Sequence, residues 1–204
     1  MKLVGMLDSP YVRRVALALD RYGVPFEHSS LSVFRQYDEF VQVNPVVKAP
    51  TLVLDDGTVV MDSTLILDYF EHQAAPQAKL LPALPAQRAA DLRCLGLALA
   101  ACEKAVQLVY ESNLRPAEKQ HQPWVDRVDG QLLAACDALD EELSRRPPLN
   151  DPNKPGLVDI TSVVAWSFIG LMLPEQFPGK DFPALRHLAE ALENTRLFQR
   201  HPMR

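Results

Sequence analysis

Two segments of this chain place a hydroxyl where a helix begins. Ser9 precedes Pro10 and a helical pattern of Val12, Val15, Ala16 and Leu19 that ends at Gly23. Ser is a strong N-cap, Pro suits the first turn and Gly suits the end. Ser63, behind Asp62, opens a second pattern with Leu65, Ile66, Tyr69 and Phe70 on one face. A helix start carries unpaired N–H groups and the positive end of the macrodipole, so it attracts anions as readily as it accepts a cap. Ser9 and Asp62 thus read either as plain caps or as part of an anion site. The remaining reactive residues form no pattern. His28, His72, His121, His187 and His201 have no metal or acid–base spacing, and Cys94, Cys102 and Cys136 have no CxxC pair. An odd cysteine count without an export signal disfavours a disulfide framework, a zinc site and a dithiol redox motif, leaving three helix-packing thiols.

The elements that carry these residues come in two textures. Strand patterns at Lys2–Met6 and Phe26–Leu31 flank the first helix, and a short helix over Arg35–Val43 is broken by Asn44-Pro45. Thr51–Leu54 and Thr58–Met61 face each other across Asp55-Asp56-Gly57, a hairpin signal. The order strand, helix, strand, helix, hairpin, helix predicts a parallel pair plus an antiparallel pair. After a proline-bearing linker over 74–85 the chain turns helical, with Ala- and Leu-rich patterns at 86–114 and 124–143. A nearly all-apolar helix at 157–173 suits the centre of a bundle, Trp166 within it reads as core, and an amphipathic helix covers 181–198. The length of 204 residues suits two modest domains, 48% hydrophobic and 23% charged residues are ordinary for a folded soluble protein, and the net charge is −5 with no basic cluster, which argues against nucleic acid. No apolar run reaches the ~18 residues of a membrane span, and Met1–Leu7 is too short for a signal peptide, so the cytoplasm is expected.

Four segments in this order resemble the soluble glutathione transferase family across essentially the whole chain: Ser9-Pro10-Tyr11-Val12-Arg13, Asn44-Pro45 followed by Lys48-Ala49-Pro50, Asp62-Ser63, and the apolar helix. The Ser9 segment and Arg115–Lys119 look most like the bacterial branch with serine in the active-site position. The resemblance implies an α/β thioredoxin-like glutathione-binding domain over 1–77 and an all-α helical-bundle domain over 86–204. It also implies that the Ser9 hydroxyl donates to the sulfur of glutathione and that Ala49-Pro50 is cis, exposing the backbone of Ala49 to the cysteinyl amide. Lys48 would meet the glycyl carboxylate, Ser63 the γ-glutamyl carboxylate and Asp62 the amino group. Arg35 is a weaker basic candidate that reads more simply as a solvated surface charge, and Arg13 a structural partner for carboxylates beside the first helix. The second substrate, a small apolar electrophile, would lie between the domains against Met6, Leu7, Tyr11, Val109 and Tyr110. Glutathione is a co-substrate; no metal or other cofactor is implied, and a homodimer is. Two other readings share the fold: a glutathione-dependent peroxidase or reductase, and a non-catalytic regulatory relative like the stringent-starvation transcription factors. The sequence departs from the family at Met6, at Val47 where many relatives have glycine, and at Gly156, a weaker cap than Ser or Thr.

Overall fold

A computed structural model describes residues 1–203; Arg204, the last residue of the expected helical domain, lies outside the described residues. The N-terminal half folds in the order β1 (Lys2–Val4), α1 (Pro10–Tyr22), β2 (Glu27–Ser29), α2 (Tyr37–Val43), β3 (Thr51–Val53), β4 (Val59–Met61) and α3 (Ser63–Gln73). The sheet order is β2-β1-β3-β4. β1 runs parallel to β2 and antiparallel to β3, with Leu3 opposite His28 and Leu52, and β3 pairs antiparallel with β4. This is the thioredoxin-like arrangement. Each strand is shorter than its apolar run, because the residues beyond it turn into loops that carry the site.

The C-terminal half is helical: α4 (Pro85–Leu114), α5 (Gln122–Ser144), α6 (Leu157–Met172), α7 (Pro183–Glu193) and α8 (Arg196–Arg200). The single amphipathic helix expected over 181–198 is two helices. The break falls at Asn194-Thr195, where the Thr195 hydroxyl caps the second helix by accepting from the Phe198 amide at 3.5 Å. Gly156 caps α6 without a side chain because Asp159 reaches back to accept its N–H at 2.8 Å.

One apolar core runs through both halves. Leu3 and Leu52 of the sheet, Val12, Val15, Ala16 and Leu19 of α1, and Ile160, Val163 and Val164 of α6 are wholly buried. At about 1.5–3 kcal/mol for each large aliphatic side chain, this burial outweighs any single polar contact. Helix α1 is sandwiched, with α3 and α6 both packed on it, so its start is held from two sides. Cys94, Cys102 and Cys136 are buried in α4 and α5, and Trp166 packs on the core through an edge contact with Phe182 at 5.5 Å.

Long polar contacts lock the halves together. Arg13, 1% exposed, donates both terminal nitrogens to the Glu193 carboxylate at 2.6 Å and its Nε to the His201 carbonyl at 2.8 Å. The carboxylate expected beside α1 is thus supplied by the end of α7. Two histidines are structural rather than incidental: His28 Nε2 bonds the Gly5 carbonyl at 2.8 Å, and His201 pairs with Asp20 at 3.0 Å and stacks on Phe26.

Candidate active site

The loop between β1 and α1 is shaped by one glycine. Gly5 has φ 136°, and a Cβ there would meet a Val12 methyl at 2.6 Å and the Ala49 Cβ at 3.0 Å. Only glycine lets the end of β1 approach both α1 and the loop before β3 so closely. That loop is fixed by its own polar core. Asn44, 3% exposed, donates to Thr51 Oγ1 at 2.8 Å and accepts from the Val46 amide at 3.0 Å; Thr51 donates to the Lys48 carbonyl at 2.7 Å. Between these anchors Val47 sits at φ 52°, a left-handed conformation that glycine would adopt without strain. The Ala49–Pro50 bond is cis.

Where these loops meet the helical half, a cavity of about 670 Å³ opens. Ser9, Lys48, Ala49 and Arg35 line it from the sheet side. Met6, Tyr11, Val109 and Tyr110 line it, joined by Phe34, Val106, Phe168 and Met172, so much of its wall is apolar. Leu7 is not on the wall: Met6 and Asp8 face the cavity while Leu7 between them packs on the apolar core. Pro50, Asp62 and Ser63 are not on it either. Pro50 is buried, and the start of α3 opens beside the cavity, where Lys48 Nζ stands 3.5 Å from Asp62 Oδ2. Both side chains are about half exposed, so this pair is weak and its members remain free for other partners.

The two helix starts differ in how their side chains are used. Asp62, at φ 73°, caps α3 by accepting from the Thr64 amide at 2.9 Å. Ser9 occupies the cap position of α1 with extended backbone, yet its hydroxyl makes no cap bond. The cap reading thus holds for Asp62, while the Ser9 hydroxyl stays available on the cavity wall.

Two residues here escaped the sequence reading. Arg14 is 1% exposed; its Nη1 donates to Ser63 Oγ at 3.1 Å and Thr64 Oγ1 at 3.2 Å, and its Nε has no partner. Burial pulls its pKa down, while the Asp62 carboxylate favours its charge. It puts a positive charge directly under the start of α3. Asp8 is the other, half-buried on the wall next to Ser9. Burial raises its carboxyl above the usual range, more than the Ser9 amide and the Arg35 charge pull it back. A lone Arg and a lone Asp in a charged chain give no signal by type; only the neighbouring caps could have directed attention to them. Burial also pushes up the Tyr11 and Tyr110 hydroxyls, so both stay neutral at physiological pH.

Residues 3–78, which carry this loop framework, match the glutathione S-transferase N-terminal domain. Along nearly its full length the chain superposes on a glutathione S-transferase of Methylobacterium radiotolerans in complex with glutathione sulfonate, with TM-score 0.86, 25% identity and coverage of 98% and 93% of the two chains. The chain thus carries a glutathione S-transferase N-terminal domain. A family member of Pseudomonas fluorescens with bound glutathione is 26% identical, with TM-score 0.81 and coverage of 98% and 97%. Among curated sequences the chain is 28% identical to an uncharacterised GST-like protein of Escherichia coli, YibF, over 70% of this chain and 66% of the relative. It is 32% identical to glutathione S-transferase U4 of Arabidopsis thaliana over 45% and 41%. These sequence alignments span about two thirds and two fifths of the relatives' own lengths. Among the described residues of this chain no helix is long and apolar enough to cross a membrane, and no cluster of His, Cys, Asp and Glu could hold a metal.

Proposed function

We propose that this chain binds glutathione beside Ser9 and joins its sulfur to small apolar electrophiles. One observation carries the reading above the others: the Ser9 hydroxyl, free of any cap bond, stands at the start of α1 on the wall of a largely apolar cavity. The thiolate is the nucleophile and a free thiol titrates near 8.5, so the site must favour the ionised form. The hydroxyl donates a hydrogen bond to the sulfur and the α1 terminus adds its positive field. Lys48 serves the glycyl carboxylate. The start of α3, with Ser63 and Asp62 over buried Arg14, serves the γ-glutamyl end. The electrophile occupies the space between Tyr11 and the apolar side chains of α4 and α6. Solved relatives with glutathione or glutathione sulfonate bound support the choice of ligand. The test is glutathione-dependent conjugation by the purified chain. Binding to glutathione resin without turnover of any halide, epoxide or enone would remove the transferase reading, and failure to bind would favour a regulatory role.

A reductase that works by thiol–disulfide exchange needs a reactive protein thiol near the ligand. Cys102 and Cys136 are buried with their thiols pushed up to about 12, chiefly by desolvation, and no cysteine lines the cavity. We place the protein in the cytoplasm, which cell fractionation checks, and we expect a homodimer. Exposed Leu65 and Tyr69 share one face of α3, and Leu92 is exposed on α4. Light scattering giving a monomer mass at micromolar concentration would contradict the dimer.

A further inference from the structure

The sulfur site has a carboxyl beside it that thiol activation does not explain. Asp8 directly precedes Ser9, and both residues line the same cavity. Arg35 lies on that wall too, its Nη2 3.6 Å from the Met6 sulfur, and Tyr110 faces the same space from α4 with an edge contact to Phe34 at 5.5 Å. As a carboxylate, Asp8 would oppose the thiolate, since two like charges in one apolar cavity disfavour each other. As a carboxylic acid it removes that repulsion and becomes a proton donor facing the electrophile. The environment already leans that way, because burial raises this carboxyl and an adjacent thiolate raises it further.

We propose that Asp8 is a general acid for the electrophile, acting when the site adds glutathione to an α,β-unsaturated carbonyl compound. This rests on the transferase reading above and adds a second catalytic residue to it. The thiolate lone pair forms the new C–S bond at the β-carbon. The C=C π pair moves toward the carbonyl, giving an enolate, and the Asp8 O–H proton goes to that enolate. The carboxylate left behind takes a proton from solvent, replacing the one the thiol released on ionising. The net change is addition of S–H across the double bond, with nothing oxidised or reduced. Displacement at an aryl halide has no such step, because chloride leaves with its electron pair and needs no proton.

The test compares benzylideneacetone, an enone, with chlorodinitrobenzene, an aryl halide, both with glutathione. Positioned general acids contribute about 10²–10⁴-fold, so Asp8→Asn is expected to lower the enone-to-halide ratio of kcat/KM by about 100-fold. The wild type gives a second readout that needs no variant to fold. Its ratio falls as pH rises and Asp8 ionises; thiol ionisation is common to both reactions and cancels. The other groups facing this space are Ser9 and Tyr11 of α1, Arg35, Lys48, and Tyr110 of α4. The two tyrosines stay neutral through that range. An unchanged ratio in Asp8→Asn, or a wild-type ratio independent of pH, overturns the role of Asp8. Wild-type turnover of the halide without the enone overturns it too and leaves the transferase reading standing. Turnover of neither, with glutathione bound, removes both.

Discussion

Replacing Ser9 by alanine separates its two possible roles, because the structure assigns them different costs. An N-cap hydroxyl that bonds the first turn is worth about 1 kcal/mol, or some 2–4 °C in Tm for a chain of this size. Ser9 makes no such bond, and the first turn is already set by Pro10 and by the Arg13 amide donating to the Ser9 carbonyl at 3.0 Å. Ser9→Ala is therefore expected to leave Tm within about 1 °C. A hydrogen bond to an ionised sulfur is worth about 1.5–3 kcal/mol, and one pKa step about 1.36 kcal/mol, so the bound thiol should titrate roughly one to two units higher. Below both pKa values the thiolate fraction, and with it kcat/KM, falls about 10–100-fold. Above both, variant and wild type converge. The α1 terminus remains and contributes about 0.3–1 kcal/mol, so residual activity is expected at every pH. The assay is the pH profile of kcat/KM with an aryl halide, alongside the thiolate ultraviolet absorbance of bound glutathione and a melting curve. A Tm lowered by several degrees with an unchanged profile would show that Ser9 is only a cap and would sink the mechanism.

Arg13→Met strands a partly buried Glu193 carboxylate; breaking a buried pair costs about 3–5 kcal/mol, and because the Glu193 side chain is 33% exposed about 2–3 is expected, a Tm loss of roughly 4–12 °C by calorimetry. Burial alone would raise Glu193, but hydrogen bonds from Arg13 and Ser167 outweigh it and hold the carboxyl below its ordinary 4.5. A carboxyl depressed in the folded state stabilises above its unfolded pKa and loses that contribution as pH falls through the folded value. Acid unfolding of Glu193→Gln should therefore show a shallower pH dependence below 4.5 than the wild type. Lys48→Ala removes a cation from the cavity wall and should raise KM for glutathione about 5–10-fold with kcat little changed, since the contact is made equally in ground and transition states. Arg14→Met removes the buried charge under α3 and should weaken binding of S-methylglutathione by about tenfold in calorimetry, whereas glutathione lacking its γ-glutamyl residue should bind wild type and variant alike.

The features legible in the sequence are those built from local chemistry. Ser9-Pro10 and Gly23 bracket α1, Asp55–Gly57 turns the hairpin, and the apolar run from Leu157 places α6, because caps, turns and periodicity act within a few residues. Four of the five expected electrophile contacts also reach the cavity. What stayed hidden is what only tertiary distance decides. Adjacent Arg13 and Arg14 look alike as sequence, yet one pairs with a carboxylate 180 residues away and the other lies under Ser63. The resemblance puts Leu7 in the electrophile pocket and says nothing of Asp8, whereas the turn after Gly5 packs the apolar residue on the core and leaves the acid on the cavity wall. That inversion bears on function. In an acidic chain of net charge −5, cations at Arg14, Arg35 and Lys48 cluster around the site, and the wall beside the sulfur nevertheless keeps an acid. Packing alone would be served as well by an apolar side chain at a half-buried position, and thiol activation would be served better. The Ser9 amide and Arg35 hold its ionised form, burial favours its neutral form, and the substrates that reward a neutral acid next to a thiolate are those whose attacked carbon passes its charge to oxygen.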